Sequence, residues 1–407
     1  MKFTPYDDEI RRIDQLKKYV GTDYTILRLT DTMINKNNID ANYFMRSLLK
    51  RKGIVDYDKL TNGGSNGLKV SVLLFSRNCQ ETTKTNLYRV NGKRSDPRFS
   101  IYGISKYAEK NILRTGDLLV IFPYQVKGTT YICIFNVSSS LPQNEVLSNL
   151  FELNATQKKL NTLLDKIKIL AKKGYYANSK GAGKWSPKDA GDTLESLLGV
   201  KTNNRQNADI DGLIELKTKS NSGLDTLFTL RPKFDGTPVA DVEPKDRSRV
   251  SAYTRMYGYL SEKHPNAKSL YVTISSTPNN QGLYLSVNES KAIVELKKGS
   301  VLTAYWKFQD LEQELKIKHP TTLWFDVDVD RTAEVAQILY KSVKITKAPN
   351  FETFIDLIDA GIITYDWRGY TSISGKYKGK NHGNAWRIDK KNLNKLFGQS
   401  EYIDLQN

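Results

Sequence analysis

Asp209-Ile-Asp-Gly-Leu-Ile-Glu-Leu-Lys217 is the stretch on which the reading of this chain turns. Its second half, Ile214-Glu-Leu-Lys217, alternates apolar and charged residues as a strand with one buried face does. Glu215 and Lys217 therefore share a face and Leu216 takes the other. Asp211-Gly212 is a hairpin signal. A three-residue turn over Asp211, Gly212 and Leu213 would set Asp209 opposite Glu215 on that same face, and a two-residue turn would not. Two carboxylates side by side supply hard oxygen ligands for Mg2+, which is usually held by one or two carboxylates together with substrate phosphate. Such an ion stabilises charge building on the phosphate and lowers the pKa of an attacking water, while the lysine polarises the scissile group. A triplet of this kind standing alone more often marks a surface hairpin with scattered charge, so its surroundings decide.

Upstream, Gly191-Asp-Thr-Leu-Glu195-Ser-Leu-Leu-Gly199 places Leu194, Leu197 and Leu198 at helical spacing. A helix there buries one face and leaves Glu195 free to point along a neighbouring edge as a third carboxylate. Ala155 to Lys173, with Leu160, Leu163, Leu164, Ile167 and Leu170, predicts a second amphipathic helix. Before it, Ser138-Ser-Ser-Leu-Pro-Gln-Asn interrupts a strand-like pattern. The expected division is a first domain over 1–145, a linker over 146–154 and a second domain over 155–407.

The first domain reads as strands at Tyr24–Leu29, Leu68–Phe75, Leu87–Val90, Phe99–Tyr102, Leu118–Phe122 and Tyr131–Val137, with a helix near Ala41–Lys50. Short strands at this spacing predict a barrel or open barrel. Lys93, Arg94 and Arg98 lie in a polar loop flanked by Tyr88 and Tyr102, a combination that can grip a nucleic-acid backbone. At the other end of the chain, Asp366-Trp-Arg368 sits in a strand-like stretch. A glycine-marked loop from Lys376 to Arg387 adds Asn381, His382 and Asn384. Arginine can bond a guanine edge in bidentate fashion, and an acidic residue can accept from the cytosine amino group.

Composition agrees with a polyanionic partner. The chain has 407 residues, a formal net charge of +18 and 39% hydrophobic residues, enough for two separate cores. No run of eighteen apolar residues and no opening signal peptide is present, so a cytoplasmic protein without membrane contact is expected. Cys79 and Cys133 read as two buried free thiols, nothing has zinc-ligand spacing, and His264 and His319, each before a proline, read as exposed loop residues.

The pattern Gly191-x-x-x-Glu195-x-Leu-Leu-Gly199, followed by Asp209 and Glu215-Leu-Lys-Thr218, resembles the catalytic core shared by MutH-type repair nickases, Sau3AI-type enzymes and the MvaI/BcnI restriction endonucleases. Thr226-Leu-Phe-Thr229, Tyr305-Trp-Lys-Phe-Gln-Asp-Leu311 and Ser374 to Ile388 follow in the order of the MvaI/BcnI family, so the resemblance spans roughly 155–407. It implies an α/β restriction-endonuclease-like (PD-(D/E)XK) domain and a Mg2+-dependent, site-specific deoxyribonuclease of type II. Asp209 and Glu215 would bind Mg2+, Lys217 would sit by the phosphate and nucleophile, and Glu195 would assist from its helix. Hydrolysis would proceed by direct attack of metal-bound water and leave a 5′ phosphate. The interval from Asp209 to Glu215 is one residue longer than in the family. That keeps Asp211 open as the alternative ligand, with Asp209 preferred because Ala208 and the turn glycine then fall where expected. Asp366, Arg368, His382 and Arg387 match the base-contacting positions, and Lys380 stands where the family has a histidine.

Ile26-Leu-Arg-Leu-Thr30 and the basic loop before Phe99-Ser-Ile-Tyr-Gly103 resemble an EcoRII-like B3 effector-binding domain. That likeness implies a mainly β pseudobarrel which binds DNA through Lys93, Arg94 and Arg98. The expectation is therefore a monomer acting on double-stranded DNA at a CCWGG-like site, with a second copy of DNA bound as effector. A MutH-like nickase and a catalytically inactive DNA-binding regulator are the competing readings.

Overall fold

The computed structural model describes residues 4–406 except 78, 93–94, 127, 184, 187, 201–207, 219–225, 375–378 and 382. Lys93, Arg94, Lys376 and His382, singled out above, lie outside the described residues.

The N-terminal half is built on seven strands: β1 (Thr25–Arg28), β2 (Ile39–Asp40), β3 (Leu68–Ser76), β4 (Cys79–Arg89), β5 (Pro97–Ile101), β6 (Leu118–Val126) and β7 (Thr129–Asn136). They pair in the order β1-β6-β7-β3-β4-β5-β2. All neighbours are antiparallel except β3 and β7. The apolar run of β3 serves two cores at once, because alternate residues leave a strand on opposite sides. Val72 and Leu74 join one cluster with Met45, Leu49 and Ile104. Leu73 and Phe75 join the other with Ile13, Leu16, Leu147 and Phe151. The first side is covered by α2 (Asp31–Lys36), α3 (Tyr43–Arg51) and α4 (Ile104–Glu109), the second by α1 (Asp7–Val20) and α5 (Asn144–Leu150).

Residues 146–154, expected as a linker, are instead built into this half. Most of α5 falls there, and Phe151 packs on Phe75, Phe122, Tyr124 and Phe135. Leu147 is the residue that α5 buries, too short an apolar pattern to mark a helix in the sequence. Cys133 is buried as expected, whereas Cys79 is exposed at the start of β4.

The remainder carries α6 (Ala155–Ala171), α7 (Lys188–Leu198), α8 (Pro238–Val242), α9 (Arg249–Tyr257), α10 (Phe308–Lys318), α11 (Phe351–Asp359) and α12 (Leu393–Phe397). Its strands are β8 (Tyr176–Ala177), β9 (Ile214–Thr218), β10 (Thr226–Phe228), β11 (Tyr259–Ser261), β12 (His264–Ile274), β13 (Leu283–Asn288), β14 (Ile293–Lys298), β15 (Val301–Lys307), β16 (Thr321–Asp330), β17 (Gln337–Thr346), β18 (Ile363–Ser372), β19 (Gly379–Asn381), β20 (Ala385–Ile388) and β21 (Glu401–Asp404). One sheet runs β21-β17-β16-β9 with β8 on β17; a second runs β10-β20-β18-β12-β11 with β19 on β18; β13, β14 and β15 form a third. The helices α6 and α7 lay Leu160, Leu163, Ile167 and Leu194 on Leu216, Leu323 and Phe325 of the first sheet. An aromatic core of Trp306, Tyr365, Trp367 and Trp386 lies under the second.

Both histidines read as exposed are placed otherwise. His264 begins β12 and stacks on Tyr370 at 3.7 Å between ring centroids. His319 follows α10, where burial pushes its imidazole down to about 4 while Nε2 lies 2.9 Å from the Leu227 carbonyl.

The two halves meet over specific contacts. Phe44 of α3 leaves its own half to pack in the aromatic core, against Phe308 and Phe351. Glu352 of α11 accepts from the backbone amide of Ile26 and from Asn42 Nδ2. Asn350 Nδ2 donates to the carbonyls of Thr22 and Tyr24.

Candidate active site

The hairpin closes with the longer of the two turns considered. Ile210 pairs antiparallel with Ile214, and the intervening Asp211 and Gly212 take φ of 52° and 72°, left-handed values that a glycine adopts freely and an aspartate tolerates. Asp209 is thereby set across from Glu215. Its Oδ2 accepts the backbone amide of Leu216 at 2.8 Å. Strand β9 buries Ile214 and Leu216 and leaves Glu215, Lys217 and Thr218 half-buried on the way to solvent. Its parallel pairing with β16 sets Glu215 beside Thr322 and Lys217 beside Trp324.

Glu195 reaches the same place from α7, whose Leu194 is anchored in the core one residue earlier. Burial raises the carboxyls of both Glu195 and Glu215 above the usual glutamate value, and the charge of Asp209 raises each further. Glu195 and Glu215 also oppose one another. Lys217 answers this charge beside Glu215, its Nζ standing 3.9 Å from Oε1, the far end of an ion pair, and Lys188 and Lys180 offset part of the charge around Glu195. Asp211 faces elsewhere, in a 2.6 Å ion pair with Lys159 of α6.

Hard oxygens carrying excess negative charge suit a divalent cation, so the residues fit Mg2+ by charge and donor type. Among the described residues, no group of three or more His, Cys, Asp and Glu encloses a metal by itself. Asp209 and Glu215 set two carboxylates across from one another on this face.

A second polar cluster lies on β18 and β20. Asp366 is 2% exposed, and it gathers its neighbours. Oδ2 accepts from Arg368 Nε and Nη2 at 2.9 and 2.6 Å and lies 2.6 Å from Arg387 Nε, while Oδ1 accepts from Thr273 at 2.7 Å. Asn384 Oδ1 accepts the backbone amide of Arg368. Two guanidinium groups are thus held side by side over one buried carboxylate. Sequence had singled out Asp366, Arg368 and Arg387, but nothing in it identified Thr273, which is recruited from β12 by the register Thr273 to Asp366. Gly369 is required here, since a Cβ would come within 2.8 Å of the Lys380 carbonyl on β19. In the N-terminal half, Arg98 is bound at 2.7 Å by Asp40, with Asp96 at 3.7 Å.

The sign of the pH dependence follows from the raised carboxyl of Glu215. Its folded-state pKa lies above the unfolded one, so the folded form gains relative stability at low pH and loses it as pH rises past the ordinary 4.5. Glu215→Gln is therefore expected to stabilise the metal-free protein at pH 8 by ~0.5 kcal/mol, kept small by solvent screening, with no gain near pH 4. Thermal unfolding in EDTA checks this, and a destabilised variant at pH 8 would contradict it.

A family model, that of the MvaI/BcnI restriction endonuclease family, matches residues 164–397, more than half of the chain. Among solved structures, the chain is similar to restriction endonuclease MvaI in complex with its cognate DNA substrate. The identity is 22%, over 62% of this chain and 100% of that one, with a TM-score of 0.37. It is also similar to MvaI in the absence of DNA, at the same identity and coverage and a TM-score of 0.40. No curated protein matches.

Proposed function

The chain belongs to the MvaI/BcnI restriction endonuclease family, and from that premise we propose that it hydrolyses double-stranded DNA as a Mg2+-dependent type II enzyme at a short CCWGG-like site. The observation that carries this reading is the electrostatic convergence of Glu195, Asp209 and Glu215, with Lys217 as the near cation. Asp209 and Glu215 would hold Mg2+, which when bound neutralises charge on the phosphate and lowers the pKa of an attacking water. Lys217 donates to a non-bridging phosphate oxygen, and Glu195 orients water from α7. Asp209 is preferred to Asp211 because the latter is already paired with Lys159. Sequencing the ends of DNA cut by the purified protein in Mg2+ tests the activity and gives the site; intact DNA across all sequences would overturn the reading in favour of a DNA-binding regulator.

Asp209→Ala or Lys217→Ala should lower the cleavage rate by about 100-fold or more and leave specific binding within a few-fold, because the reading residues lie on other strands. Gel-shift and single-turnover assays separate the two effects. Full activity in Asp209→Ala would move the ligand role to Asp211.

For reading, Arg368 and Arg387 would each take a guanine edge, with Asp366 and His382 completing the set. Replacing either arginine with Ala should cost about 1–3 kcal/mol of discrimination between cognate and random duplexes, whereas Lys376→Ala should weaken both evenly. Equal losses for all three would make this surface a phosphate contact alone.

The N-terminal half would be a B3-like effector domain gripping a second duplex through Lys93, Arg94 and Arg98, in an arrangement resembling that of the enzyme UbaLAI. Replacing all three with Ala in the full chain should abolish stimulation by a second site on the same DNA while basal cutting persists. Unchanged stimulation would assign this half a structural role.

A further inference from the structure

Resting on the reading of Lys217 as the group beside the phosphate, we infer that Trp324 is a positioning residue which holds that ammonium off the carboxylates. Lys217 Nζ lies between two attractions, 3.9 Å from Glu215 Oε1 and 5.3 Å from the centre of the Trp324 ring. The ring is brought there by the parallel register that pairs Trp324 with Lys217, and β17 fixes it. Trp324 Nε1 donates to Thr346 Oγ1 at 2.9 Å, and Thr346 stands opposite Thr322 across β16 and β17.

The arrangement matters because a lysine is a compact charge on a flexible four-carbon stem. With three carboxylates near, an unrestrained Lys217 would close on Glu215 and occupy an oxygen needed as a ligand. The π face of an indole attracts the ammonium within about 6 Å of its centroid without supplying a hydrogen-bond acceptor that competes with phosphate. The Nζ protons thus stay available on the face that carries Glu215. Trp324 itself is half-buried, and the residues on either side of it, Leu323 and Phe325, are in the core. Its ring therefore lies on the same side of the sheet as the chemistry.

The test compares single-turnover cleavage in saturating Mg2+ with duplex affinity measured in EDTA, using a duplex that contains the cut site found by end sequencing. Trp324→Leu should slow cleavage about 10-fold and raise the Mg2+ needed for half-maximal rate, with the duplex Kd unchanged within about 2-fold. Trp324→Phe keeps a π face and should stay within about 3-fold of the native rate. Three results overturn the inference: a native rate for Trp324→Leu, a Trp324→Phe rate as low as that of Trp324→Leu, or a Kd that weakens in proportion to the rate. Should Trp324→Leu fail to fold, Thr346→Val removes the acceptor that orients the ring. It should then slow cleavage about 3-fold at unchanged Kd, and an unchanged rate overturns the inference. Lys217→Ala run alongside separates the two levels: if it cuts at the native rate, the role given to Lys217 fails, whereas an inactive Lys217→Ala beside a native Trp324→Leu defeats only the role given to Trp324.

Discussion

The parallel pairing of β9 with β16 is the constraint on which the rest depends. It assigns each residue of a five-residue edge strand to a side. Leu216 goes inward to meet Leu323 and Phe325, and Glu215 and Lys217 go outward beside Thr322 and Trp324. A slip of one residue would reverse both assignments, drawing two charged groups into an apolar core. The energy that keeps the register is that of burying Ile214 and Leu216, so the core holds the chemistry in place indirectly. The raised carboxyls of Glu195 and Glu215 show the cost on the other face, where burial and then like charge act together and nearby lysines offset only part of it.

The buried Asp366 illustrates a different way of fixing charge. Two arginines on neighbouring strands would repel if left alone. With one carboxylate beneath them, itself satisfied by Thr273 on its other oxygen, Arg368 bonds Oδ2 through two nitrogens and Arg387 is drawn to the same oxygen by charge. Placing Asp366 under solvent-facing arginines also gives up its own direct exposure, at 2%, so in this conformation it orients its neighbours. The arginines keep 45% and 32% of their side-chain surface exposed, so the desolvation in this cluster is borne by the carboxylate, and its two cations meet that cost.

The parts of this structure that sequence foretold are those set by local pattern. Period-two alternation located β9, and strand-like runs located β3 and β18. Apolar spacing located α6 and α7, and Asp211-Gly212 announced a turn whose left-handed φ values the structure carries. What sequence did not reveal depends on partners distant in the chain. Phe151 gave no strand or helix signal of its own and is held by four rings from three strands. His319 looked like a turn residue before a proline, yet tertiary packing buries it against Phe397. Trp324 next to Lys217 is a matter of inter-strand register, over a hundred residues apart, and no periodicity within either strand encodes it.

Phe44, Glu352 and Asn350 join the two halves through a packed and hydrogen-bonded seam, and Gly398 lets the chain pass against Asp14 of α1. A tether of flexible residues would make the meeting of two bound partners a matter of effective concentration, falling gradually as the tether lengthens. A seam of this kind works by geometry instead. A surface on one half is presented to a surface on the other at a set distance and a set rotation. Any shift of one half against the other has to repack these side chains, with no slack in a connecting chain to absorb the movement.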